Sequence, residues 1–346
     1  MAQSLFFPPE WHPQSVIQLT WPHENSDWDY ILEEVTSCFV NLASEVLKRQ
    51  HLLIICNDAE TVKYELRAFE HLFSNLTLIE IPSNDTWARD HGGISVINMG
   101  QKQIYDFTFN GWGLKFASNF DNQINRSLTA QQSFASDVRF VNKKDFVLEG
   151  GAIETDGKGT LLTTSECLLS PNRNPYLSKD GIEEYLTRVF GLDRVLWLDH
   201  GYLAGDDTDS HIDTLARFCD EHTIAYVKCN DLNDEHYNAL SEMEKQLKGF
   251  LDYTGKPYRL IELPMAKAIY DEDAKRLPAT YANFLIMNEA VLIPFYNEAE
   301  TDEKARQQLQ HAFPSREIVG IECSSLIKQH GSLHCVTMQY PESFFK

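Results

Sequence analysis

The chain has 346 residues, 43% of them hydrophobic, and its 30 Lys and Arg against 51 Asp and Glu give a formal net charge of −21. That apolar content supplies a core and excludes wholesale disorder. The acidity argues against nucleic acid or an anionic membrane surface as the main partner, since both recruit basic faces.

In chain order, residues 16–20 read as a strand with no near partner. Ser26 is placed to cap a helix running to about residue 50, with Trp28, Ile31, Leu32, Val35, Phe39, Leu42 and Val46 on one face. Strands at 51–56 and 76–81 bracket a second helix, opened by Asp58 and reaching residue 72. Hairpins then recur. Residues 94–99 and 103–109 flank Gly100, and residues 152–155 and 160–163 flank Asp156-Gly157. Ser178 opens a helix that stops at Gly191, before a strand at 194–198. A third hairpin, 215–219 with 223–227, turns at Asp220-Glu221 and is followed by a helix at 233–250 and a strand at 258–263. The fourth, 284–287 with 290–295, turns at Asn288-Glu289 and precedes a helix at 301–312. A last strand is read at 333–339.

A hairpin therefore starts about every 60 residues, near Gly93, Gly151, His211 and Tyr281. The two chain-terminal strands can pair to make a fifth. This patterning suggests a radial repeat closed by its chain ends, with a two-domain doubly wound α/β chain as the competitor. The competitor needs a phosphate loop. Gly157-Lys158-Gly159-Thr160 looks like the end of one, but a strand follows it, so it reads as a hairpin turn. The Asp207-Thr208-Asp209 stretch lacks the later positions of a calcium loop.

Seven widely spaced cysteines (Cys38, Cys56, Cys167, Cys219, Cys229, Cys323 and Cys335) without a C-x-x-C pair exclude a disulfide framework or a thiolate zinc centre. No basic leader or long apolar run is present, and the expected location is cytoplasmic. A homodimer is the default assembly for such a chain.

Polar residues gather at the hairpin starts: Trp87-Ala88-Arg89-Asp90, Glu149-Gly150-Gly151, His211-Ile212-Asp213 and His334-Cys335. Converging on one axis, they would supply a thiol, an imidazole and several carboxylates. The mixture suits attack on a cationic carbon. A free cysteine is only a few per cent thiolate at neutral pH, and a bound guanidinium favours the anion. Its planar fork also fits carboxylates.

These stretches, with Asn110-Gly111-Trp112-Gly113, residues 168–175 and Pro9-Glu10-Trp11, resemble the agmatine deiminase family. That family includes bacterial peptidyl-arginine deiminases and belongs to the pentein, or guanidino-group-modifying, enzymes. The resemblance implies an α/β fold: a five-bladed ββαβ propeller with pseudo-five-fold symmetry, one domain over residues 1–346. It implies Cys335 as nucleophile, His211 as general acid/base, Asp90 and Asp213 as the guanidinium clamp, and Glu149 orienting and charging His211. The substrate is then a small cationic guanidine, agmatine first and free or C-terminal peptidyl arginine second, with no metal or organic cofactor. A catalytically dead guanidine-binding homologue is the third reading.

Trp87 is expected to stack on the substrate, Arg89 to sit in a structural ion pair, and the other six cysteines to be inert. Strand alternation points His334 away from Cys335 and turns His211 and Asp213 to the same side. Gly93, Ser210 and Gly331-Ser332 depart from the family pattern and put the substrate tail in question.

Overall fold

Asp156 accepts the N–H groups of Lys158 and Thr160, so the Asp156-Gly157 turn closes as its sequence predicts, and the two flanking strands pair antiparallel. The computed structural model, which describes residues 5–346, repeats this unit throughout a mixed α/β fold. Five sheets form, and each contains an antiparallel pair whose second strand runs parallel to a third strand.

Glu154–Thr155 and Thr160–Thr164 add Arg194–Leu198. Ala216–Asp220 and Thr223–Lys228 add Arg259–Pro264, and Leu285–Ile286 and Ala290–Phe295 add Glu317–Glu322. Ile94–Asn98 and Gln101–Thr108 add Arg139–Val147, with Leu5–Phe6 on the outer edge. In the fifth sheet the chain ends meet: Thr337–Pro341 pairs antiparallel with Gln14–Thr20, Thr337 opposite Leu19, followed by His51–Cys56 and Leu76–Glu80.

Helices carry the parallel crossovers, because two parallel strands cannot be joined by a tight turn. Leu32–Leu47, Lys179–Phe190, Tyr237–Gly249 and Ala299–Ala312 each do so, presenting buried faces such as Val35, Phe39, Leu42 and Val46. Ser178 caps its helix by accepting the Gly181 N–H, and Gly191 ends it at φ +69°. Ser26 does not act as a cap. Its hydroxyl donates to the His23 carbonyl, and a 3-10 turn at Asp29–Ile31 leads into the helix instead. The second helix stops at Glu65 and continues as a 3-10 segment to Asn75.

The last strand begins only at Thr337, so residues 333–336 form a turn and not extended chain. Likewise His211 leads into a 3-10 turn, Ile212–Thr214. Period-two alternation therefore applies to neither pair. No helix is long and apolar enough to cross a membrane among the described residues.

Candidate active site

A short turn precedes each hairpin, and each turn delivers polar side chains to one place. Ala88–His91 carries Asp90, and Gly150–Ala152 follows Glu149. Ile212–Thr214 carries Asp213 just after His211. Asn283 precedes Leu285–Ile286, and His334 and Cys335 precede Thr337–Pro341.

Asn283 is the contribution the motifs missed, although the fourth hairpin start, near Tyr281, marked its position. Its Oδ1 accepts the backbone N–H of His334 at 2.8 Å and of Cys335 at 3.3 Å, and its Nδ2 donates to the Asp213 carbonyl. The Arg89 N–H in turn bonds the Cys335 carbonyl. Four of the five turns are thereby stitched around the thiol.

The Cys335 Sγ lies 3.4 Å from Asn283 Oδ1 and 3.9 Å from Asp213 Oδ2. Burial pushes its thiol up, and Asp213 and Asp90 push it further, so the resting group is a neutral thiol. Asp90 accepts the Gly151 N–H on Oδ1 at 3.0 Å and the Trp112 indole on Oδ2 at 2.9 Å. Burial raises its carboxyl to about 6. Asp213 behaves differently. Burial acts to raise it, but the hydrogen bond and charge of His334 override that and hold it below the usual carboxylate range.

His211 is fully buried, with its Nδ1 3.6 Å from Asp90 Oδ1 and neither ring nitrogen hydrogen-bonded. Burial alone would lower it; Asp90, Cys167 and Glu149 together hold it well above the usual histidine range. Glu149 is close to His211, yet its two oxygens are bonded to Arg173 Nε at 3.0 and 3.1 Å. It acts on His211 as a nearby charge and not through a direct hydrogen bond.

Cys167, read from sequence as inert, lies in the same group: its sulfur, a Glu149 oxygen and a His211 nitrogen are within 4.8 Å of one another. Glu10, Glu154 and His334 form a second such group. Both have ligand-type atoms, but an arginine already occupies the carboxylates: Arg173 in the first, Arg217 in the second. Arg89 does sit in an ion pair, with Glu10 at 3.7 Å.

His334 is expected from strand alternation to turn away from Cys335. It is not turned away by alternation; both of its nitrogens are hydrogen-bonded, to Asp213 and to Glu10.

Above the thiol opens a narrow pocket lined by Asp90, Cys335, Trp87, Trp112, Phe116 and Asp207, among others. Trp87 lies between Trp28, to which it is tilted by 43°, and Trp112, which it meets edge-on at 79°. Trp112 was quoted in a motif without a role, and its backbone explains why glycines surround it. Gly111, Trp112, Gly113 and Leu114 all have positive φ, from +54° to +87°. Each non-glycine residue there costs about 1–2 kcal/mol. The indole bond to Asp90 and the Asn110 side chain on the Gly113 N–H offset it.

Ser210, the departure before His211, also has φ +61°. Its N–H bonds Asp206 and its hydroxyl bonds Glu166, which hold a left-handed residue where glycine would be easier.

The profile of the Porphyromonas-type peptidyl-arginine deiminase family matches residues 6–341. The chain belongs to that family. A solved structure described as "the putative arginine deiminase" from Porphyromonas gingivalis is 55% identical, with a TM-score of 0.95 over 99% of this chain and all of that one. The C. jejuni agmatine deiminase with substrate bound is 39% identical, TM-score 0.89, covering 99% and 97%. The agmatine deiminase of Enterococcus faecalis is 30% identical, TM-score 0.86, covering 98% and 96%. These relatives are pentein enzymes, hydrolases of C–N bonds in linear amidines.

Gly151 sits where three of the site's polar groups meet. A Cβ there would fall 2.6 Å from His211 Nδ1, 2.8 Å from Asp90 Oδ1 and 3.1 Å from Asp213 Oδ2. Gly151→Ala is expected to lower turnover on the order of 100-fold, since misplacement by about 1 Å costs that much. Kinetics alongside a thermal melt checks this; a variant as active as the parent would mean that the three groups need not converge.

Proposed function

We propose that this chain hydrolyses the guanidinium of agmatine to N-carbamoylputrescine and ammonia through a covalent amidino-cysteine. The observation that carries the choice of substrate is the charge of the pocket wall. Asp27, Asp85, Asp90 and Asp207 line it, with no lysine or arginine among the described lining residues. An arginine substrate would bring a carboxylate with no cation to meet it. Agmatine brings a distal ammonium, and Asp207, raised to about 6 by burial and by Asp206, gains from such a partner. The nearest cations are engaged: Lys115 with Asp209 at 2.7 Å, Arg173 with Glu149 and Asp209.

The guanidinium enters between Asp90 and Asp213, and its charge beside Cys335 favours loss of the thiol proton to water. The thiolate attacks the guanidino carbon, and the C–N bond to one amino group breaks. His211, held protonated, gives its proton to the departing ammonia and is left as a neutral base. Ammonia leaves, and water enters. His211 takes one proton from that water, whose oxygen attacks the amidino carbon; the C–S bond then breaks and the new hydroxyl gives up its proton to the leaving sulfur, releasing the ureido product and the Cys335 thiol. The five sheets support a single five-bladed pentein propeller over residues 1–346, its axis running through this cluster.

Ammonia release from agmatine, arginine and arginyl peptides tests the reading. Turnover of agmatine at the highest kcat/KM is expected, and activity on arginine with none on agmatine would sink it. The pH profile follows from the same groups. The clamp needs ionised Asp90, so kcat/KM falls as pH drops through about 6. The acid step needs protonated His211, so activity is lost again only where pH rises through its elevated value. A rate independent of pH between about pH 5 and about pH 7 would contradict the clamp.

A further inference from the structure

Behind the thiol, Glu10, His334 and Asp213 form an unbroken buried line, and the scheme above leaves the first two without a task. Glu10 Oε2 lies 2.7 Å from His334 Nε2, and His334 Nδ1 lies 2.7 Å from Asp213 Oδ2. Glu10 is itself fixed. Its Oε1 accepts the Ile286 N–H at 2.7 Å, and Arg217 donates to its Oε2 at 2.8 Å. We infer that His334 is a positioning residue for substrate capture: gripped by Glu10, it holds Asp213 by Oδ2 and so leaves Asp213 Oδ1 aimed at the guanidinium.

Three observations carry this. Asp213 Oδ1 is buried without a hydrogen-bond partner, while Oδ2 is bonded to His334. An orphaned carboxylate oxygen in a dry site is costly unless a ligand satisfies it. Next, Glu10 is held well below the usual carboxylate range despite burial, by Arg217, His334 and Arg89, and Asp213 is lowered too. Each ring nitrogen of His334 is thus held at 2.7 Å by a carboxylate oxygen, which fixes the ring from both sides. Finally, His334 and Cys335 share Asn283 Oδ1 through their backbone N–H groups, so the clamp and the nucleophile are placed by one peptide.

The inference rests on the deimination reading, and a binding measurement separates the two. Agmatine is titrated calorimetrically into Cys335→Ser, which keeps the pocket without turnover. His334→Asn and His334→Gln are then added singly to that protein. Asparagine reaches where Nδ1 was and keeps the bond to Asp213. Glutamine reaches where Nε2 was and keeps only Glu10. The expected result is a loss of about 5- to 10-fold for Asn, which gives up only the Glu10 grip, and of about 50-fold or more for Gln, with similar melting temperatures. Equal losses, or none, overturn the inference and leave the deimination reading standing. Failure of Cys335→Ser itself to bind agmatine overturns the substrate reading and the inference with it. If neither His334 variant folds, Glu10→Gln in the same background is expected to weaken agmatine at least about 5-fold, and unchanged affinity overturns the proposal.

Discussion

Cys335→Ala is expected to lower ammonia release from agmatine by roughly 10^4 to 10^6, the scale on which a covalent mechanism fails when its nucleophile is removed. No other thiol can substitute. Cys38, Cys56, Cys219, Cys229 and Cys323 are buried and do not line the cavity, and neither does Cys167, which lies against His211 and Glu149. The same argument predicts selective labelling. Because Cys335 rests as a neutral thiol, raised by burial and by Asp213 and Asp90, a neutral alkylating reagent should react slowly. A haloacetamidine carries its own cation into the clamp and should react faster by at least about tenfold, with one adduct found on Cys335 by mass spectrometry. Turnover by the alanine variant near the parent rate, or an adduct on Cys219 or Cys323, would refute the assignment.

The repeat was legible because turn chemistry is local. Asp156-Gly157 and Asn288-Glu289 mark their hairpins without reference to the rest of the chain, and equal spacing then exposes the five-fold pattern. The pairing of residues 14–20 with 337–341 follows from closing that pattern.

What the sequence hid was geometry between turns. His211-Ile212-Asp213 reads as alternating chain, yet a 3-10 turn brings both polar residues inward. His334 and Cys335 sit in a turn for the same reason. Asn283 and Cys167 carry no motif of their own, and a lone cysteine between Glu166 and Leu168 gives no sign that a histidine 44 positions later in sequence will face it. Glu10 was part of a quoted motif, but only folding shows that it reaches His334 across 324 positions.

Arg173→Met tests how far the acid/base pair depends on a residue outside the cavity. Arg173 donates Nε to both Glu149 oxygens, Nη1 to Asp209 Oδ2 at 2.6 Å and Nη2 to the Thr208 carbonyl at 2.8 Å. It thus fastens Glu149 to the loop that leads into His211. Methionine keeps much of the volume and leaves the Glu149 carboxylate buried without a cation. Removing one member of such a pair costs about 3–5 kcal/mol, so the urea midpoint should fall sharply. Catalysis should fail for a second reason. An unpaired Glu149 either takes up a proton, withdrawing a charge that keeps His211 protonated, or swings toward the imidazole and displaces it. Activity at temperatures where the variant is fully folded should then drop about 100-fold, with the alkaline limb of the rate profile moved to lower pH as His211 loses that support. Arg173→Lys restores one charge but cannot bridge Glu149, Asp209 and the Thr208 carbonyl at once, and should recover stability more than rate. A methionine variant that is easily unfolded yet turns over agmatine normally, with an unmoved alkaline limb, would show that Glu149 serves the fold and not His211.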